Sequence, residues 1–168
     1  ETGVGVYPTA FYPKNVLFIE GSYYSLSSNM MAKTLYNGQP DTTFGTNSYL
    51  AIGTAAEANS ITDFKYINGY FYLFGKRTTN TNVDIFIAKL DTSGNYDTSF
   101  GTGGKMQIDL GKQETVSDIL INPDNSILCI GTRYGGNESS KLLLLKLNAN
   151  GTLDTSFNAI GYKEFLVG

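Results

Sequence analysis

The chain of 168 residues contains no histidine and no tryptophan, and only one cysteine and four prolines. The absence of histidine removes Ser-His-Asp and Cys-His catalytic triads, imidazole metal ligands and histidine acid–base chemistry together. A single cysteine, Cys129, forms no disulfide within the chain; set in an apolar run, it reads as an inert core thiol. Charged residues make up only 16% and the net charge is −3. No basic run exists to track phosphates, so no nucleic-acid partner is expected. Apolar stretches such as Leu142 to Leu145 are far too short to insert in a membrane. Runs of Ala, Glu, Lys and Gln at helical period are also missing. No secretory leader opens the sequence, so a secreted protein is expected to be already processed. Glu1-Thr2-Gly3 reads as an expression scar, with residues 1–5 as an N-terminal lead.

What remains is rich in Tyr (12), Phe (10) and Gly (19), with hydrophobic residues at 41%. That composition suits short strands joined by tight turns, and it is too apolar for disorder.

An internal repeat organises the chain. Asp41-Thr42-Thr43-Phe44-Gly45 recurs as Asp97-Thr98-Ser99-Phe100-Gly101 and as Asp154-Thr155-Ser156-Phe157-Asn158, the aspartates 56 and 57 positions apart. Lys33, Lys89 and Lys146 each stand eight positions before the marker aspartate, and Gly38, Gly94 and Gly151 three before it. A further series, Gly21, Gly75 and Gly131, closes the apolar runs Val16–Ile19, Phe71–Phe74 and Ile127–Ile130. Each unit reads as four strands. In the third copy these are Lys105 to Leu110, Val116 to Ile121, Ile127 to Ile130 and Lys141 to Leu147, with Asn122-Pro123-Asp124-Asn125 as a hairpin turn. In the second they are Tyr49 to Ile52, Ile61 to Ile67, Tyr70 to Phe74 and Asp84 to Leu90, with the turn at Asn68-Gly69. The fold class is therefore all-β, a β-propeller-type repeat of three four-stranded blades.

The string from Lys146 through Asn148-Ala149-Asn150-Gly151-Thr152-Leu153 to Phe157, with Gly101-Thr102-Gly103-Gly104-Lys105 and Asn122–Asn125, resembles the delta-60 repeat, a bacterial β-propeller repeat. The resemblance covers nearly the whole chain and is weakest in the first copy, where Tyr36-Asn37-Gly38-Gln39-Pro40 is a degenerate turn. It implies a propeller fold and a secreted or cell-surface location, and it carries no catalytic motif.

This phase predicts blade 1 at residues 6–45, blade 2 at 46–101, blade 3 at 102–158 and a closing strand at 159–168. Copy one begins near Val6 on what matches a second strand, and residues 160–167 match a first strand. The C-terminal strand is thus expected to complete a first blade, with a head-to-tail dimer giving a six-bladed ring as one reading and a trimer or a fragment of a longer propeller as the alternatives.

Candidate sites stand against structural alternatives. The Asp-Thr pair of the marker has a counterpart in aspartic proteases, but an element present once per blade reads as a turn whose Asp caps backbone amides and whose Phe plugs the space between blades. Gly101–Gly104 lacks the Lys-Ser/Thr of a P-loop. Calcium could meet Asp124 with Asn122 and Asn125, or Asp91 with Asn95 and Asp97, yet neither has EF-hand spacing and both read as turns; no metal or other cofactor is expected. Paired carboxylates for glycoside hydrolysis would be Asp63 and Asp118, with Thr9 or Ala10 in copy one. Asn137-Glu138-Ser139 and Asn150-Gly151-Thr152 match the glycosylation pattern, which stays bare in a bacterial protein. Two positions beyond the glycine series lie Tyr23, Arg77 and Arg133, with Tyr24 and Tyr134 adjacent, expected at the start of ligand-facing loops. Aromatic faces and guanidinium forks suit sugars, acidic groups or protein surfaces, whereas the bland alternative has them covering strand ends. The expected function is a non-catalytic binding module of adhesin or fibre-tip type with a protein or glycan ligand; a lectin and a plain scaffold are the alternatives.

Overall fold

The computed structural model describes residues 11–53, 58–79, 82–135 and 139–166. All of its regular structure is strand, arranged as three four-stranded antiparallel sheets. The first comprises β1 (Asn15–Ile19), β2 (Ser22–Leu26), β3 (Met30–Leu35) and β4 (Tyr49–Ala51). The second comprises β5 (Ala58–Ile67), β6 (Tyr70–Thr78), β7 (Val83–Asp91) and β8 (Lys105–Ile108). The third comprises β9 (Gln113–Ile121), β10 (Ile127–Tyr134), β11 (Lys141–Leu147) and β12 (Tyr162–Leu166). In each sheet the strands pair in chain order, so every sheet is one up-and-down meander.

This order corrects the phase. The strand after each marker is the fourth of its own sheet: β4 pairs with β3, β8 with β7 and β12 with β11. The first sheet lacks no strand, and Tyr162–Leu166 completes the third sheet rather than the first. The sequence repeat leaves its starting point open, because a periodic pattern can be cut anywhere; hydrogen bonding decides it. The marker loop folds back on the strand it leaves, with Asp97 N bonding Lys89 O at 2.9 Å and Lys89 N bonding Gly104 O at 2.9 Å. The strand near Val6 lies outside the described residues.

The sheets stack face to face as blades do. Strand β6 shows why the middle sheet is apolar on both sides. Its side chains alternate with period two, so Phe71 and Leu73 enter the core shared with the first sheet, while Tyr72 and Phe74 enter the core shared with the third. The markers supply the plugs: Phe44 (1% exposed) and Phe100 (0%) sit in the first and second inter-sheet cores. Each ring meets a tyrosine edge-on, Phe44 with Tyr24 at 5.9 Å and Phe100 with Tyr72 at 6.3 Å. No helix among the described residues is long and apolar enough to cross a membrane.

The glycine series is corrected too. Gly75 and Gly131 lie inside β6 and β10, opposite bulges in β5 and β9, where an added Cβ would strike the carbonyl oxygens of Ser60 and Thr115. Gly21 instead forms the β1–β2 turn at φ +78, the counterpart of Gly69. Asp41 follows Gly21 by 20 positions, whereas Asp97 follows Gly69 by 28. The second hairpin of the first sheet is thus eight residues shorter, and that deletion threw the first copy out of register.

Candidate functional site

The antiparallel order divides the molecule into two ends. The lower end carries the β1–β2, β5–β6 and β9–β10 turns and the markers; the upper end carries the β6–β7 and β10–β11 loops and the crossing from β8 to β9.

The lower end repeats one device. Lys33–Asp41, Lys89–Asp97 and Lys146–Asp154 are ion pairs at 2.9, 2.7 and 2.9 Å. In each, the aspartate's Oδ1 also accepts the backbone N–H of the residue two positions on, at 3.0 Å every time. The Lys89 hydrogen bond, then the Ser99 hydroxyl, holds the Asp97 carboxyl below its usual range. Burial is the largest single influence on the Lys89 ammonium and lowers its pKa, but the bonds and charge contacts with Asp97 and Tyr72 together raise it above its ordinary value. These aspartates fix turns, which accords with the scaffold reading of the marker. The proposed calcium turns are similarly occupied: Asp124 Oδ1 accepts Ser126 N at 2.9 Å, and Asp91 Oδ1 accepts Ser93 N at 2.8 Å and Asn95 N at 2.9 Å.

A row of equivalent side chains runs along the first strand of each sheet. Asn15, Asp63 and Asp118 each accept the N–H of the following residue at 2.8 Å. Asn15 Nδ2 donates to Asp63 Oδ1 at 2.5 Å, and Lys65 Nζ pairs with Asp118 at 2.9 Å. The copy-one equivalent of the two aspartates is therefore Asn15, not Thr9 or Ala10, which lie outside the described residues.

The five nominated ligand residues do not form one loop set. Tyr23 is mid-strand on the outer face of the first sheet, its ring 4.8 Å from Phe18. Tyr24 is buried between the first two sheets and donates its hydroxyl to Thr92 O at 3.0 Å. Both were misplaced by the false equivalence of Gly21. Arg133, near the end of β10, is a clamp rather than a free fork: Nε meets Glu114 Oε1 at 3.1 Å, Nη1 meets Glu164 and Nη2 meets the carbonyl of Leu110. Lys141 joins Glu164 at 3.1 Å. Tyr134 is exposed at the strand's end. Arg77, near the end of β6, does line an opening. With Phe86, Thr102, Lys105, Met106 and Gln107 it borders a cleft of about 380 Å³ along β8. Arg77 Nη1 donates to Gln107 Oε1 at 2.8 Å, and Lys105 Nζ lies 4.8 Å over the Tyr96 ring.

The upper end also holds a group that sequence reading passed over. One carboxylate oxygen from each of Asp84, Asp109 and Glu114 lies within 4.8 Å of the others. They come from β7, the crossing after β8, and β9, and no spacing rule links them.

A repeated, aromatic-plugged stack of four-stranded meanders is the architecture of a β-propeller-type repeat protein. Residues 69–100 and 122–157 match the family described as "Domain of unknown function (DUF5122) beta-propeller", in agreement with a β-propeller repeat. The matched segments correspond to β6, β7 and marker, and to β10, β11 and marker, which are the most regular parts of the repeat. No curated protein matches the chain.

Proposed function

We propose that this chain is a non-catalytic binding module of a bacterial secreted or cell-surface protein, of adhesin or fibre-tip type, and that the cleft along β8 receives an acidic ligand. The observation that carries this reading is the cleft itself, with two cationic side chains, Arg77 and Lys105, on one wall of a rigid sheet. Guanidinium and ammonium groups on this wall suit the carboxylates of an acidic glycan. Gln107 holds Arg77 in place and itself donates to Asp84, and Thr102 lines the cleft, where its hydroxyl suits a sugar hydroxyl. A non-catalytic role is supported by the lack of histidine and by the engagement of Asp63 and Asp118 at repeated positions. Array screening of acidic and neutral oligosaccharides, followed by calorimetry, tests it. Binding of acidic glycans that weakens at least tenfold in Arg77→Ala supports the proposal; binding confined to neutral glycans favours a plain lectin, and no binding sinks both.

The end faces support self-association as part of this role. The outer face of the third sheet presents Leu120, Ile130 and Phe165, all exposed. By ladder register Ile130 and Phe165 correspond to Phe74 and Ile108, which on the middle sheet pack against the third. The outer face of the first sheet presents Val16, Phe18 and Tyr36. Two copies joined head to tail, third sheet on first sheet, would repeat the existing interface without exchanging a strand.

A further inference from the structure

We propose that Asp84, Asp109 and Glu114 form a calcium site at the upper junction of the second and third sheets. Asp84 and Glu114 are 2% and 0% exposed, so two carboxylates are buried at close range. Glu114 Oε1 is provided for, accepting Lys112 N at 3.1 Å and Arg133 Nε at 3.1 Å. Its Oε2 is buried with no hydrogen-bond partner. An unpartnered buried carboxylate oxygen is costly, and neighbouring like charge compounds the cost. A divalent cation relieves both at once.

The geometry fits calcium. Oxygens that share a Ca²⁺ ion at about 2.3–2.6 Å stand at most about 5 Å apart, and these three lie within 4.8 Å of one another. An all-oxygen, all-carboxylate set selects a hard cation over zinc or copper. Asn82 completes the picture: its Nδ2 donates to Asp84 Oδ1 at 2.7 Å and to Asp109 Oδ1 at 3.3 Å. Turned over, the same amide presents its oxygen to the ion as a fourth ligand. Arg133 is the facing cation, and it divides its charge between Glu114 and Glu164. Because Asp84 and Asp109 belong to one sheet's end and Glu114 to the next sheet, the bound ion ties two blades together.

The test is calorimetric titration of the chelator-stripped protein with CaCl₂ and with MgCl₂, with thermal melts at matched ionic strength. One saturable calcium site is expected, with a melting temperature that climbs with calcium concentration. Glu114→Gln and Asp109→Asn should each weaken binding at least tenfold. Asp109 is exposed, so its variant keeps the test alive if Glu114→Gln fails to fold. Asp124→Asn, in a turn at the other end, should bind as the parent does. No saturable binding up to about 10 mM, the weak end of extracellular calcium modules, overturns the proposal. So does unchanged affinity in Asp109→Asn, or loss of binding in Asp124→Asn.

Discussion

Phe100 lies against Gly151, so close that a Cβ on the glycine would stand 3.1 Å from the ring. Phe44 stands in the same relation to Gly94, at 3.0 Å. The marker of each sheet therefore inserts its ring over the turn glycine of the next. At the two ends the halves of this contact are separate: Phe157 is only half-buried, and Gly38 has nothing within 4 Å of its Cβ position.

Gly151→Ala should consequently cost more stability than Gly38→Ala. Both glycines have positive φ, +88 and +84, which penalises any Cβ by about 1 kcal/mol. Only Gly151 adds a clash with a packed ring, worth about 1–3 kcal/mol more. Urea unfolding of the two variants should show the gap, and equal midpoints would refute the packing role.

The phenylalanine series separates core from end face. Phe100→Ala should lose about 3–5 kcal/mol, as large-to-small changes in a filled core do. Phe157→Ala should leave the isolated chain within about 1 kcal/mol of the parent. If chains associate head to tail, light scattering on the parent gives a mass near twice 18.3 kDa, and Phe157→Ala shifts it towards the monomer. A parent that stays monomeric at every concentration excludes the association.

Acid should weaken the lower end. The carboxyls of Asp41 and Asp97 are held below their ordinary value, first by Lys33 and Lys89 and then by Thr43 and Ser99. A lowered folded pKa means that the unfolded chain takes up protons first. The stabilisation is therefore complete above the unfolded carboxylate value near about 3.9 and is lost as pH falls through the folded one. Melting temperature should drop below about pH 4. Asp97→Asn, expected to cost about 1–3 kcal/mol at neutral pH, should differ less from the parent at pH 3. A constant difference across the range would contradict this assignment.

Cys129 is buried, and desolvation pushes its thiol up to about 12. The thiolate is the reactive form, so alkylation of the folded protein at pH 8 should be slow and should accelerate at the unfolding midpoint. Prompt labelling of the native chain would show that the core around Leu143 and Leu145 opens locally.

Much of the architecture was legible in residue order because the strands of the second and third sheets alternate cleanly and end on glycine or asparagine turns. The strands from Lys105 to Leu147 lie close to where hydrophobic period places them. Sheet membership was not legible, since periodicity cannot tell whether a strand pairs with what precedes or follows it. The first sheet failed for a different reason, its hairpin being eight residues shorter, and Tyr23 and Tyr24 fell with it. Strand counting holds through β6, so it places Arg77 near the upper end of that strand. The Asp84, Asp109 and Glu114 group escaped because it is assembled across two sheets from residues that no copy repeats.

Each sheet here is a single meander, every strand paired with its immediate predecessor. During synthesis such a blade is complete once its own stretch of chain has emerged, with no strand left waiting for a distant terminus. Contacts within a sheet span few residues, which favours rapid formation and shortens the time that sticky edges stand open. Genetic duplication of one whole unit likewise adds a finished sheet and leaves every older pairing intact.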